Sequence, residues 1–404
     1  MNKLLLLLFI FSGVVGLSQK QESKPVLQNL PAVKWKFTTK GSIVGSPTSD
    51  GSSIFVGSYD SCFYAIDKNS GAQKWKIRIG GPIASSAILQ GDKLYFYGGD
   101  GNLHCRDKNT GKLIWNYKTL SGALPDRKYD WPDYYQSSPV MSEGTIYFGS
   151  GDGRLYAIDA TTGKHIWNFE TGDVVHTAPA ISGNKIFVGS FDGHLYALNR
   201  SNGQQIWKFK TTGQRFFPRG EINGNPVVHK GVVYFGSRDF NFYALDEELG
   251  YCLWLKTFER GWALPITPKD SVLYVGTSDD RLLLAVDRVS GRTLWNTNLQ
   301  FNIFGGMATT PTTGFVGTLS GKFFGIDLKT GAIKWTFETE SHKKNRSRYL
   351  KEDDEYVDNI GALIRSGNDF LAMYRAMGGV FGKPLLVDDT VYFGTYDGVL
   401  YALK

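Results

Sequence analysis

Six aspartates, Asp67, Asp107, Asp159, Asp246, Asp287 and Asp327, each open a copy of one turn, written Asp-x-x-Thr/Ser-Gly at Asp107–Gly111 and Asp159–Gly163. A ring of carboxylates is the chemistry they first suggest. A carboxylate in such a turn, however, accepts backbone N–H bonds from the residues just after it. A residue repeated in every unit also cannot build one unique site, so these aspartates read as turn chemistry. The six histidines (His104, His165, His176, His194, His229, His342) show no metal-ligand spacing, and no metal site is expected. His176, in Val-Val-His-Thr-Ala-Pro, opens an inner strand beside a central channel and is kept as a site residue. Cys62, Cys105 and Cys252 leave at least one thiol unpaired. They are expected as small buried hydrophobes, since Cys105 stands in the register of Ala157. Neither a phosphate-binding glycine loop nor a Gly-x-Ser-x-Gly elbow occurs.

The elements that must position any site are repeats. The fullest copy runs from Gly144 to Phe169, and its Trp recurs as Trp35, Trp75, Trp115, Trp167, Trp207, Trp254, Trp295 and Trp335, at spacings of 40 to 52 residues. A period near forty, with short strands and glycine turns, predicts an all-β fold, a β-propeller of four-stranded blades. In the third repeat the strands are expected at Ser137–Met141, Thr145–Gly149, Arg154–Asp159 and Lys164–Phe169. Polar–apolar alternation is weak there because each blade is covered on both faces. Asp100-Gly101, Asp152-Gly153, Asp192-Gly193 and Asp397-Gly398 signal hairpins. One extra residue between Asp279 and Asp287 predicts a bulge. The repeated Trp suits the wedge between neighbouring blades. Val33–Phe37 matches an outer strand, and Thr390–Leu403 supplies middle strands without one. Seven whole repeats and this composite give eight blades, with the N-terminal strand completing the C-terminal blade.

Met1–Ser18 has a basic start, an apolar run too short to span a bilayer, and small residues before Gln19. Residues 1–18 read as a signal peptide, residues 19–31 as a flexible lead-in, and residues 32–404 as the propeller. No Cys follows the apolar run, so no lipid anchor is expected, and no later stretch predicts a transmembrane segment. The product is expected to be exported and soluble, in the periplasm or outside the cell. The net charge of +7 is modest, and no basic, aromatic-interleaved patch points to nucleic acid.

Unique chemistry is expected where the repeat is interrupted. Insertions 119–136, 211–223 and 338–383 each follow an outer strand, and strand alternation puts all three on one face, with the Asp-Gly hairpins. The first carries Tyr129, Trp131, Tyr134 and Tyr135, the second Arg215, Phe216, Arg219 and Glu221, and a shorter connector carries Trp262. Aromatic plates beside guanidinium and carboxylate groups suit a peptide, a glycan or a planar ligand. The same side chains would also anchor their own loops. In the third insertion a basic block (Lys343–Arg348) meets an acidic one (Glu352–Glu355), which predicts a solvated segment. A helix capped by Asn368 is expected to carry Phe370, Leu371, Tyr374 and Met377 and to stop at Gly378. It would pack onto the disc or lie across the channel as a lid.

Ala-Ile-Asp-x-x-Thr-Gly-x-x-x-Trp, with Val-Tyr-Phe-Gly-Ser-x-Asp-Gly, resembles the PQQ-like (quinoprotein-type) propeller repeat, from Val33 to Lys404. The resemblance implies one of two branches. One is that of the quinoprotein dehydrogenases, which hold pyrroloquinoline quinone (PQQ) with Ca²⁺ under a pair of adjacent cysteines. The other is the non-enzymatic envelope branch typified by the assembly factor BamB, which is nearer in length and blade count. This chain has no adjacent cysteines and offers no counterpart for the Ca²⁺ ligands or the general base. The expectation is therefore a binding or scaffold module of the cell envelope, without catalytic residues and without a cofactor. Its partner would be an envelope protein or a periplasmic ligand. The alternatives are an atypical oxidoreductase using PQQ with Ca²⁺, or a glycan-binding propeller.

Overall fold

A computed structural model describes residue 27, residues 29–120 and residues 137–404. The leader, most of the lead-in, and Tyr129, Trp131, Tyr134 and Tyr135 lie outside the described residues. Eight four-stranded antiparallel sheets follow one another as blades. In blade 8, Leu385–Val387, Thr390–Gly394 and Val399–Leu403 are joined on the outside by Val33–Thr38, with Trp35 opposite Ala402 and Phe37 opposite Leu400. Ala32 and Lys404 exchange both backbone hydrogen bonds at 2.9 Å, so the closure is a continuous ladder.

The aromatic second and third strands are buried because each blade lies between two others. Phe323 of blade 7 stacks on Phe393 of blade 8 with ring centroids 4.1 Å apart. The outer strand does different work. In all eight blades its pairing slips by one residue just before the Trp, as between Ala157 opposite Trp167 and Ile158 opposite His165. That bulge aims the Trp into the cleft toward the next blade. Trp167 Nε1–H donates to the Arg200 carbonyl at 3.1 Å, and its ring covers Gly203, where an added Cβ would lie 2.7 Å away. The same bond runs from Trp35 to Lys68, Trp75 to Lys108, Trp207 to Glu247, Trp254 to Arg288 and Trp295 to Leu328. Each acceptor directly follows the head residue of a turn, so each indole latches its blade to the next. Trp115 covers Gly163, but its Nε1–H has no partner among the described residues. Trp335 donates to the Leu27 carbonyl at 2.9 Å, so this residue of the lead-in takes the place of a turn.

The turn aspartates bond as expected. Asp159 Oδ1 accepts the N–H groups of Thr161 (3.1 Å) and Thr162 (2.7 Å) and the Thr162 hydroxyl (2.7 Å). The Thr162 hydroxyl and backbone bonds hold its carboxyl below the usual range. Two sequence expectations need correction. The pairing from Val272 to Asp287 runs without a shift. The extra residue of blade 6 instead lengthens the strand Val272–Thr277, and the irregularity falls on the inner strand, between Ala263 and Ile266. All three cysteines are free, and Cys62 and Cys105 are buried, but Cys252 is only half-buried.

Candidate functional site

The inner strands converge on an axial cavity of about 440 Å³. Around it, at four of the eight junctions, a backbone N–H of one blade finds a side-chain oxygen on the next. Lys383 N–H donates to Ser46 Oγ, Ser46 N–H to Ser86 Oγ and Ser86 N–H to Ser138 Oγ, each at 2.9 Å; Ala178 N–H donates to Asn225 Oδ1 at 2.8 Å. Lys383 lines this channel with its side chain exposed, and desolvation by the surrounding walls holds its ammonium below the usual lysine range.

At the mouth, the variable residue of the Ser-x-Asp hairpin becomes decisive. Tyr59, Phe191, Arg238, Asp279 and Tyr396 occupy that position in five blades, and four of them line the cavity. Blades 2 and 3 have Gly99 and Gly151 there. Arg238 is 7% exposed, and its guanidinium carbon lies 4.8 Å from the Phe191 ring, 5.1 Å from Trp262 and 5.7 Å from Phe217. Such stacking suits a planar cation. Asp279 accepts from Asn302 Nδ2 at 3.1 Å and Ser278 Oγ at 3.2 Å.

The third insertion roofs one side. Helix α1 (Glu340–Asn345) is capped by Thr339, and α2 (Ile360–Leu363) leads into α3 (Gly367–Met377). The N-cap of α3 is Ser366, not Asn368. The Ser366 hydroxyl accepts from Asp369 N–H, while Asp369 Oδ2 reaches back to Arg365 N–H at 2.9 Å, a reciprocal cap. Gly378, at φ 69°, ends the helix. Met373 and Met377 are buried against Leu319 and Phe301 of the disc, while Phe370, Leu371 and Tyr374 line the cavity. The helix thus both packs on the disc and covers the channel. The acidic block is not uniformly solvated: Asp354 is buried between Lys322 and Arg346 and pins the insertion to blade 7.

Of the residues singled out in the sequence, His176 and Trp262 come together at the mouth, His176 with its ring 5.1 Å from Phe191. Phe217, the neighbour of Phe216, meets Trp262 edge-on at 5.4 Å. Arg215 and Phe216 stand at the loop tip, with the guanidinium 5.8 Å from the ring and Phe216 73% exposed. Arg219 pairs with Asp173 at 2.7 Å, which anchors its own loop. The Glu221 carbonyl accepts from Arg238 N–H at 2.9 Å, and its Oε2 has no partner among the described residues. Arg238 and Lys383 were missed in the sequence. The signal for Arg238 was a charged residue at the one free position of an otherwise fixed hairpin.

The profile of the family described as outer membrane protein assembly factor BamB matches residues 31–124, 127–221 and 214–376. The chain belongs to this family. Within the BamB family's wider kin, the assembly factor BamB of Nitrosomonas eutropha is 23% identical over 202 residues, 49% of this chain and 37% of that protein. The quinoprotein alcohol dehydrogenase PedE of Pseudomonas putida is 27% identical over 181 residues, 40% of this chain and 28% of that protein. The matched segments thus span about a third of the length of these curated relatives. Among solved structures, BamB of Moraxella catarrhalis aligns with a TM-score of 0.66 at 16% identity, covering 92% of this chain and 97% of that one. The quinohemoprotein alcohol dehydrogenase of Comamonas testosteroni aligns at 0.67 and 15%, covering 93% and 76%. A computationally designed protein, Ika8, reaches 0.70 at 15% identity, covering 93% and 99%. A designed chain that aligns as well as the natural ones makes these likenesses statements about fold alone.

The cavity also allows a test of the quinone cofactor. Ca²⁺ takes six to eight oxygen ligands, carboxylates prominent among them. Among the described residues the cavity lining offers one carboxylate, Asp279, already engaged by Asn302 and Ser278. Among the described residues no three His, Cys, Asp or Glu side chains cluster as ligands. Lys383 and Arg238 would suit the carboxylates of a quinone, but the donor set does not fit its Ca²⁺.

Proposed function

We propose that this chain is a non-enzymatic scaffold of the cell envelope, exported by residues 1–18, that holds a protein partner on its insertion-bearing face. The observation that carries this reading is the clustering of insertions 211–223 and 338–383 on the hairpin face around the channel mouth. Arg219 reaches Asp173 beside one hairpin, Ser341 reaches Asp397 of another at 2.5 Å, and Arg281 reaches Glu355 at 2.9 Å. Arg215 and the open ring of Phe216 are the docking groups, and the Arg238–Trp262–Phe217 stack is their rigid base. Family membership and the outer-membrane assembly role named for the relative support an envelope partner. No helix among the described residues is long and apolar enough to cross a membrane.

A photocrosslinker placed at position 216 should trap one defined envelope protein in the native host. The same group at Asn109, in a turn of the opposite face, should not. Equal labelling from both positions, or none from position 216, would refute the reading. The quinoprotein alternative rests on the PedE match and predicts a tight complex with PQQ and Ca²⁺, which the donor set argues against.

A further inference from the structure

The rim of the disc consists of eight outer strands, each the open edge of its sheet, and open edges invite pairing unless charge or irregularity discourages it. Directly after the Trp, seven blades carry a polar residue: Lys36, Lys76, Asn116, Asn168, Lys208, Asn296 and Thr336. Blade 5 carries Leu255 instead. On the same strand and the turn before it, Leu249 is 73% exposed, Tyr251 52%, Leu253 44% and Leu255 49%. At the position of Leu249 other turns hold a Ser or Thr, such as Ser70, Thr110 or Thr162, whose hydroxyl bonds the turn aspartate. The next turn places Gly291 against Trp254 and so brings Val289, 68% exposed, to the same stretch of rim. Isolated surface hydrophobes are ordinary, but a row of them along one open strand marks an association surface.

We propose that this surface docks a second copy of the chain, rim to rim, with the two Cys252–Thr257 strands antiparallel across a two-fold axis. The charges choose this occupant and this direction. Before the strand stand Asp246, Glu247 and Glu248, of which Glu248 is paired with Lys185, which leaves two negative charges. After Leu255 stand Lys256, Glu259 and Arg260, which leave one positive charge. Antiparallel copies therefore bring opposite net charges together at both ends, Arg260 falling across from Asp246 although Glu247 falls across from Glu259, whereas a parallel pair sets like against like. Centred on Leu253, this arrangement lays Tyr251 of each copy against Leu255 of the other. Leu253 is itself the bulged residue, between Cys252 opposite Leu245 and Trp254 opposite Ala244. Packing of these side chains, rather than a long intermolecular ladder, holds the pair. The contact is small, so association is weak, and it leaves the insertion-bearing face free.

Sedimentation velocity on the full chain between ~5 and ~200 µM tests the proposal. The wild type should pass from monomer to dimer across that range. Leu253→Lys with Leu255→Lys should weaken association at least tenfold without changing the circular dichroism spectrum or the melting temperature. A matched change on blade 2, Leu113→Lys with Ile114→Lys, should leave association intact. Leu253→Cys should give a covalent dimer on mild oxidation. A wild type that is monomeric at ~200 µM, a blade 5 variant that still dimerises, or a blade 2 variant that loses the dimer equally would each overturn the proposal. So would a monomer that instead takes up an extended peptide along this strand. None of these outcomes bears on the partner at Phe216, which is read by crosslinking on the other surface.

Discussion

The latch between blades makes a quantitative claim that a double-mutant cycle can test. Trp167 is nearly buried, and truncating a buried Phe or Trp to Ala costs about 3–5 kcal/mol. Little of that is the indole hydrogen bond, because the Arg200 carbonyl still accepts from the Tyr147 hydroxyl at 3.2 Å. Gly203→Ala is destabilising for two separable reasons. Gly203 has φ +74°, which costs a side chain about 1–2 kcal/mol wherever it occurs. Its added Cβ would also lie 2.7 Å from the Trp167 ring, an overpacking cost of about 1–3 kcal/mol. With Trp167 already Ala, the second cost vanishes and the first remains. The double variant should therefore be about 1–3 kcal/mol more stable than the sum of the single losses. Urea unfolding followed by circular dichroism, on the wild type and the three variants, gives the coupling. Additivity within about 0.5 kcal/mol would refute the latch as drawn.

Two further outcomes follow from the third insertion. Asp354→Asn removes the buried carboxylate shared by Lys322 and Arg346 and leaves the Lys322 ammonium without compensation. Breaking a buried pair costs about 3–5 kcal/mol, and Arg346, which can turn to water, lowers this to about 2–3 kcal/mol. Hydrogen exchange across residues 340–377 should quicken while the blades stay protected. His342 is buried, with Nδ1–H donating to the Ser320 carbonyl at 2.7 Å. Burial, its largest influence, pushes its pKa below 6.5, with Lys322 acting in the same direction and the Ser320 carbonyl, Glu338 and Asp354 opposing. The folded state thus prefers neutral His342. Its contribution to stability is complete above pH 6.5 and is lost as pH falls below 6.5 toward the folded-state value. Melting temperatures between pH 7.5 and 5 should fall, and His342→Gln should flatten that slope.

The repeat was legible because it is written many times. Trp, the turn Asp and the hairpin Gly each solve one local problem, so eight blades and their closure followed from spacing. What the sequence concealed depends on packing between units. Asp354 reads as one acid among several until Lys322, thirty-two positions away, is folded against it. Ser366 rather than Asn368 caps α3 because Asp369 closes a reciprocal bond with it, and both residues are equally good caps in isolation. The extra residue of blade 6 was visible, but its effect was absorbed by Thr277, whose hydroxyl bonds Leu282 N–H at 2.8 Å and keeps the hairpin in register. Arg238 hid in the variable position of a constant turn, and only the ring of blades shows that this position faces the axis.

The bond from Trp335 to Leu27 has a mechanical corollary. Six of the indoles are held by a turn of the adjacent blade, but Trp335 is held by chain that runs toward the N-terminus. A pull on that end reaches Leu27 before it reaches the Val33–Thr38 strand, so the load falls first on the seam between blades 7 and 8. Any tether ahead of residue 27 would therefore strain one joint of the ring, beside the α1–α3 insertion, and spare the rest.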